Sequence, residues 1–186
     1  MKTESKNLTK KLVLSAMLLA VATVLSEIKP FPQALGGGIT ALSMLPVVLI
    51  PVLYGARWGC FSCGVYAVIQ LLFGIDSALY APTALGVVGS LLLDYFFAYF
   101  ALSICGFFGN KNRVKTLIGV AVSIVARYLV NVLASCVVWG DLIGDFGGTL
   151  AVGFSYNLYI LVEGAGVCAV MAILLSHKSF LKIISK

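Results

Sequence analysis

Six long apolar stretches, separated by short polar connectors, constrain this chain more than any other feature. A membrane-spanning helix needs about 20 mainly apolar residues. Hydrophobic residues make up 61% of the 186 residues and charged residues only 11%, a composition that soluble domains rarely have. The sequence therefore predicts an all-α integral membrane protein, a single-domain bundle of six transmembrane helices at about 12–25, 41–56, 58–74, 84–108, 117–139 and 150–175.

The connectors follow from the same pattern. They are predicted at 26–40, which includes a flexible turn at Gly36-Gly37-Gly38, at a tight turn around Arg57, and at 75–83, 109–116 and 140–149. Pro46 and Pro51 lie inside the second stretch and predict a kinked or broken helix, because proline removes a backbone donor.

The charges outside the apolar stretches predict the orientation. In a six-helix path one side holds most of the basic residues, namely Lys2, Lys6, Lys10, Lys11, Arg57, Lys111, Arg113, Lys115, Lys178, Lys182 and Lys186. The other side holds Glu27, Lys29, Asp76, Asp141 and Asp145. By the positive-inside rule both termini are cytoplasmic, as a segment at 1–11 and a tail at 176–186. The net charge of +6 thus reports membrane orientation and not nucleic-acid binding.

Three charges remain inside the predicted bundle: Asp94, Arg127 and Glu163. An ionisable residue within a membrane segment is costly and indicates a functional site. The three sum to −1, so pairing Arg127 with one acid leaves one carboxylate unpaired. A cationic ligand could complete the set, or one acid could be protonated because burial disfavours its charged form. A purely structural Asp94–Arg127 pair is the alternative without a ligand.

Polar and aromatic residues also converge on one depth of the bundle. Four residues spaced four apart form a stripe on the fifth segment: Arg127, Asn131, Ser135 and Trp139. Helix rise places Asp94 about 15 Å into its segment, and Tyr156 and Asn157 about two turns into theirs. These side chains can meet in the outer half of the bundle. Trp139 alone could equally be an interfacial belt residue.

The sequence lacks the residues of a histidine-based hydrolase, of a histidine metal site and of a P-loop ATPase. His177, the single histidine, lies in the predicted tail, and no G-x-x-x-x-G-K-[ST] phosphate loop is present. Cys60 and Cys63 have a metal-type spacing, but no second pair or nearby histidine completes a site. Binding or transport is favoured over catalysis, with no metal and no cofactor expected.

Four blocks of residues resemble the thiamine-specific S component of energy-coupling factor (ECF) transporters, a family of six-helix vitamin-capture subunits. The blocks are 37–46 with 54–59 and 69–74, then 92–99, 127–139, and Tyr156-Asn157. The resemblance implies that Asp94 holds the thiamine cation beside Tyr95. It also implies that Trp139 stacks on the vitamin and that Asn157 hydrogen-bonds it. Asn131 stands where the family usually has histidine.

The same resemblance implies partners. Ala16 and Ala20 match a small-residue signature that docks on a transmembrane coupling subunit, and small residues one turn apart allow close helix contact. ATP would be hydrolysed by two separate ATPase subunits, and the complex would lie in the bacterial plasma membrane. The alternatives are a subunit for another cationic or heteroaromatic vitamin or precursor, and a membrane assembly protein without a ligand.

The orientation can be tested with reporter fusions. A green fluorescent protein joined after Lys186 should fluoresce, and alkaline phosphatase there should be inactive, because the tail is predicted to be cytoplasmic. Fusions after Asp145 should give the opposite pattern. An active phosphatase at the C-terminus would contradict the predicted orientation.

Overall fold

The computed structural model describes residues 2–33, 37–109 and 112–184, leaving out the side chains of 2–6, 139, 141–142 and 182–184. The predicted residues Gly36, Lys111 and Lys186 therefore lie outside the described part, as do the side chains of Trp139, Asp141, Lys2, Lys6 and Lys182. The helices are α1 (Lys2–Glu27), α2 (Met44–Tyr54), α3 (Ala56–Ala78), α4 (Ala84–Phe108), α5 (Arg113–Ile143), α6 (Phe146–Tyr156), α7 (Leu158–Ser176) and α8 (Lys178–Ile184).

The predicted all-α architecture is confirmed. Within the described residues, five stretches are long and apolar enough to cross a membrane: Asn7–Glu27, Ala56–Ala78, Ala84–Phe108, Arg113–Val138 and Phe146–Ser176. Large apolar side chains remain exposed on several of these helices, Met17, Leu72 and Leu133 among them, as expected of surfaces that face lipid.

The second predicted segment is a short helix at the centre of the bundle. Helix α2 has 11 residues, or about 16 Å, roughly half of a bilayer's hydrocarbon thickness. Seven of its residues are buried, because it packs against α1, α3, α4, α7 and α8. Pro51 lies inside the helix without ending it. A helix that is apolar on all sides is stable in this position because neighbouring helices surround it.

Glycine and capping residues make several connectors shorter than predicted. The turn expected at Arg57 lies at Gly55, whose φ of +82° favours glycine, and Arg57 belongs to α3. Helices α5 and α6 are joined by Gly144-Asp145 alone, not by a connector over 140–149. The Asp145 carboxylate accepts from the backbone N–H groups of Gly147 and Gly148, at 3.4 and 2.7 Å, and so caps α6.

The connector after α1 contains a small antiparallel pairing. Strand β1 (Phe31–Pro32) pairs with strand β2 (Gly38–Ile39), and together they are called the hairpin below. A five-residue stretch, called the 40–44 segment, leads from the hairpin into α2.

Two irregular stretches interrupt the long helices where polar residues occur. Helix α4 is α-helical at Ala84–Ser90, π-helical at Leu91–Phe97 and 3₁₀-helical at Ala101–Phe108, and Asp94 lies in the π-helical part. Such wide turns occur often at functional sites. Helices α6 and α7 meet at Asn157, so the last predicted segment is broken at a residue singled out from the sequence.

Candidate functional site

A cavity of about 150 Å³ lies between the hairpin, the end of α1 and helices α3, α4, α5, α6 and α7. Seven of the residues predicted from the sequence line it: Asp94, Tyr95, Arg127, Asn131, Tyr156, Asn157 and Glu163. Side chains from predicted segments four, five and six therefore do come together around one cavity. The Trp139 side chain lies outside the described part, and Ala16 and Ala20 lie apart from the cavity, exposed on α1.

Asp94 supplies a carboxylate to the cavity wall. Its Oδ2 accepts a hydrogen bond from Ser90 Oγ at 3.0 Å, one turn earlier on α4. The residue is half-buried and lines the cavity together with its neighbour Tyr95. A carboxylate can accept several hydrogen bonds, so Asp94 keeps acceptor capacity for a ligand.

Arg127 contacts an aromatic ring, whereas the sequence analysis considered its pairing with an acid. Its guanidinium lies over the Tyr99 ring, with the Cζ 4.1 Å from the ring centroid, which is a cation–π contact. It is 6% exposed, and Nε and Nη1 have no hydrogen-bond partner among the described residues. Asp94 bonds to Ser90 and Glu163 bonds to the 40–44 segment. Neither acid is hydrogen-bonded to Nε or Nη1, so the simple structural ion pair is not formed through these atoms.

A chain of hydrogen bonds links Asn157 to the stripe on α5. Asn157 Nδ2 donates to Gly153 O at 2.8 Å and to Ser135 Oγ at 3.1 Å, and Ser135 Oγ donates to Asn131 O at 3.0 Å. The Asn157 amide nitrogen thus joins α5 to the break between α6 and α7. Asn131 is 4% exposed, and its Oδ1 has no partner within the described residues.

The aromatic walls depend on glycines. Tyr95 packs directly on Gly74 of α3, where a Cβ would overlap the ring. Gly37 lies against Tyr156, and a Cβ there would be 2.6 Å from the tyrosine hydroxyl and 3.3 Å from Tyr159 Cε1. The approach of Tyr95 to Gly74 explains glycine at that position, whereas a Cβ at Gly37 would displace the Tyr156 hydroxyl.

Several lining residues were not predicted as site residues: Thr40, Gln70, Ser77, Ser90, Tyr99 and Tyr159. Helical spacing could have indicated three of them, because Ser90 precedes Asp94 by four, Tyr99 follows Tyr95 by four, and Tyr159 precedes Glu163 by four. Gln70 gave no such signal. Its Nε2 donates to Ser26 Oγ at 2.9 Å and to Tyr66 Oη at 2.8 Å, which ties α3 to α1.

Comparisons with known proteins match nearly the whole chain. The profile of the family described as "Thiamine transporter protein (Thia_YuaJ)" matches residues 12–184. The Bacillus subtilis (strain 168) protein named "Thiamine transporter ThiT" is 25% identical over 188 residues, which covers 92% of this chain and 92% of that protein.

The packing of Tyr95 on Gly74 can be tested by stability. Gly74→Ala should lower the unfolding free energy by about 1–3 kcal/mol, because the added methyl forces Tyr95 away from α3. Gly64→Ala is the matched control on the same helix, since its Cβ would meet Phe100 at an ordinary 3.8 Å. Because alanine is the better helix former, the control should be neutral or slightly stabilised. Thermal unfolding in detergent measures both, and equal melting temperatures would contradict the close contact.

Proposed function

The chain belongs to the thiamine transporter protein family, and we propose that it is the thiamine-binding membrane subunit of an energy-coupling factor importer. Family membership confirms the predictions of a transporter rather than an enzyme, of thiamine as the ligand, and of a multi-pass protein of the bacterial plasma membrane. The proposal goes further by naming the binding site and the partners.

The observation that carries the proposal is a carboxylate beside aromatic walls in one cavity. Thiamine has a positively charged thiazolium ring joined to a flat aminopyrimidine ring. Asp94 attracts the cation more strongly inside the bundle than it would in water, because the surroundings are less polarisable. Tyr95, Tyr99, Tyr156 and Tyr159 line the same cavity and offer flat, apolar surfaces to the rings.

Arg127 and Asn131 supply the polar selectivity in this proposal. Arg127 has donors without acceptors, and Asn131 has an acceptor, Oδ1, without a donor, within the described residues. Unpaired buried polar groups are costly, so small side-chain movements that let a ligand satisfy both are favoured. A ligand that lacks matching groups leaves them unpaired and is rejected.

Trp139 completes the proposed site by stacking on the vitamin. Its backbone lies on α5 two helical turns after Asn131, on the same stripe. Stacking contributes about 0.5–1.5 kcal/mol beyond area burial, and it tolerates many flat rings. Trp139 would therefore strengthen binding without distinguishing closely related ligands.

Transport energy comes from partner subunits in this proposal. Helix α1 buries Ser15, Leu19 and Ala22 against the bundle, and it leaves Ala16 and Ala20 exposed on another face. This small-residue face would contact a transmembrane coupling subunit at short range. ATP is then hydrolysed by two ATPase subunits of the complex.

Replacing the carboxylate tests the binding site. Asp94→Asn should weaken thiamine binding by about 1.5–3 kcal/mol, the contribution of a hydrogen bond to a charged group, or about 10- to 150-fold in Kd. The exposed Asp76 on α3 does not line the cavity, so Asp76→Asn is the matched control and should bind normally. Titration of purified protein by tryptophan fluorescence gives both constants. An unchanged Kd for Asp94→Asn in folded protein would exclude the proposed site.

Bulky substitutions on α1 test the docking face. Ala16→Trp or Ala20→Trp should abolish cellular thiamine uptake while leaving binding in detergent intact, because the large ring blocks close helix contact. Val21 is also exposed but lies about 100° around the helix from Ala20, so Val21→Trp is the control and should transport normally. Normal uptake by both alanine variants would place the partner elsewhere.

A further inference from the structure

The carboxylate of Glu163 is bound by the 40–44 segment. Glu163 is 4% exposed on α7. Its Oε1 accepts from Thr40 Oγ1 at 2.7 Å, Ser43 Oγ at 3.2 Å and Met44 N at 3.4 Å. Its Oε2 accepts from Thr40 N at 3.1 Å. A single buried carboxylate thus holds two hydroxyls and two backbone N–H groups of one short segment.

The segment is held in a strained conformation. Leu42 has φ +59°, the one positive value among the non-glycine residues that the structure describes. Such a conformation persists only where the surroundings impose it. The Leu42 side chain packs on Gly166, one turn after Glu163 on the same helix, where a Cβ would approach Leu42 Cδ2 to 2.8 Å. Helix α7 therefore fixes the segment through the Glu163 carboxylate and through Gly166, which leaves room for the Leu42 side chain.

The same segment carries the hairpin that forms one wall of the cavity. Thr40 follows β2 directly, and Thr40, Gly37 and Gly38 all line the cavity. Gly37, which directly precedes β2, lies against Tyr156. Movement of β2 away from Tyr156 requires the chain to turn at or before Thr40, because Thr40, Ser43 and Met44 are bonded to Glu163 and Ala41 N donates to Ile28 O at 3.1 Å.

We infer that Glu163 is a positioning residue that holds the hairpin closed over the cavity and so sets how fast a ligand enters and leaves. It acts through the 40–44 segment and need not touch the ligand. The inference rests on the proposed function, since the ligand whose rates change is thiamine.

A gate and a binding contact have different kinetic signatures. If the hairpin must move for entry and for exit, loosening it raises both the association and the dissociation rate constants, and Kd changes less than either. Loss of a ligand contact raises dissociation alone. A Glu163 that only stabilises the fold would lower the amount of active protein and leave both rate constants unchanged.

Stopped-flow tryptophan fluorescence with thiamine tests this on purified full-length protein. Glu163→Gln should raise both rate constants about tenfold. The glutamine NH2 group replaces an oxygen that accepts from the 40–44 segment, and the segment also loses its charged acceptor. Ser43 does not line the cavity, so Ser43→Ala acts through its hydrogen bonds to Glu163 and Thr40, and it should raise both rates by a smaller factor. The double variant should match Glu163→Gln, because the two changes break one interaction.

Ser123→Ala is the matched control, since Ser123 is fully buried, donates to Val120 O at 2.8 Å and does not line the cavity. Its rates should equal those of the unmodified protein. If Glu163→Gln does not fold, Ser43→Ala still decides. Unchanged rates, or a rise in dissociation alone, would overturn the inference.

Hydrogen exchange separates this inference from the proposed function because it needs no ligand. Backbone amides of residues 37–44 should exchange about tenfold faster in Glu163→Gln, while those of α5 should not change. If the unmodified protein fails to bind thiamine, the proposed function fails while the exchange result stands. If thiamine binds but neither exchange nor rates respond, the role of Glu163 is wrong.

Discussion

A charge inside a membrane bundle is costly, and the cavity of this structure depends on how three such charges are held. Glu163 takes its hydrogen bonds from the 40–44 segment, Arg127 lies over the Tyr99 ring, and Asp94 is bonded by Ser90. Within the described residues Asp94 and Glu163 accept from Ser90 and from the 40–44 segment rather than from Arg127 Nε or Nη1, which have no hydrogen-bond partner. This arrangement leaves acid and base on different parts of one cavity wall, a pattern suited to a ligand with both charged and neutral polar groups.

The helices are irregular at the places where the cavity is built. The π-helical turns around Asp94 and the break at Asn157 both lie at lining residues. A regular helix satisfies its own backbone groups and presents only side chains, whereas an irregular one widens the space between helices and re-aims its side chains. The largely buried α2 supplies much of the apolar core, with Met44, Val47, Val48, Ile50 and Val52.

Sequence patterns predicted which residues line the cavity better than they predicted the partners of the charged groups. The spacing of Arg127, Asn131 and Ser135 placed all three on one face, and all three line the cavity. The pairing of Arg127 with an acid was suggested by counting charges, and counting cannot detect an aromatic ring as the partner. Connector lengths were overestimated because hydropathy does not register caps such as Gly144 and Asp145.

The sequence by itself determined the class of protein, the number of apolar segments, the family resemblance and about half of the polar residues of the cavity. These properties depend on composition and on spacing along one helix, which are local. Only the tertiary structure decided that Glu163 binds the 40–44 segment and that Gly74 admits Tyr95. Such contacts join residues far apart in the chain, about 120 positions in the case of Glu163 and Ser43. Their distances depend on how the helices pack against one another, and the spacing of residues within a single segment does not predict that packing.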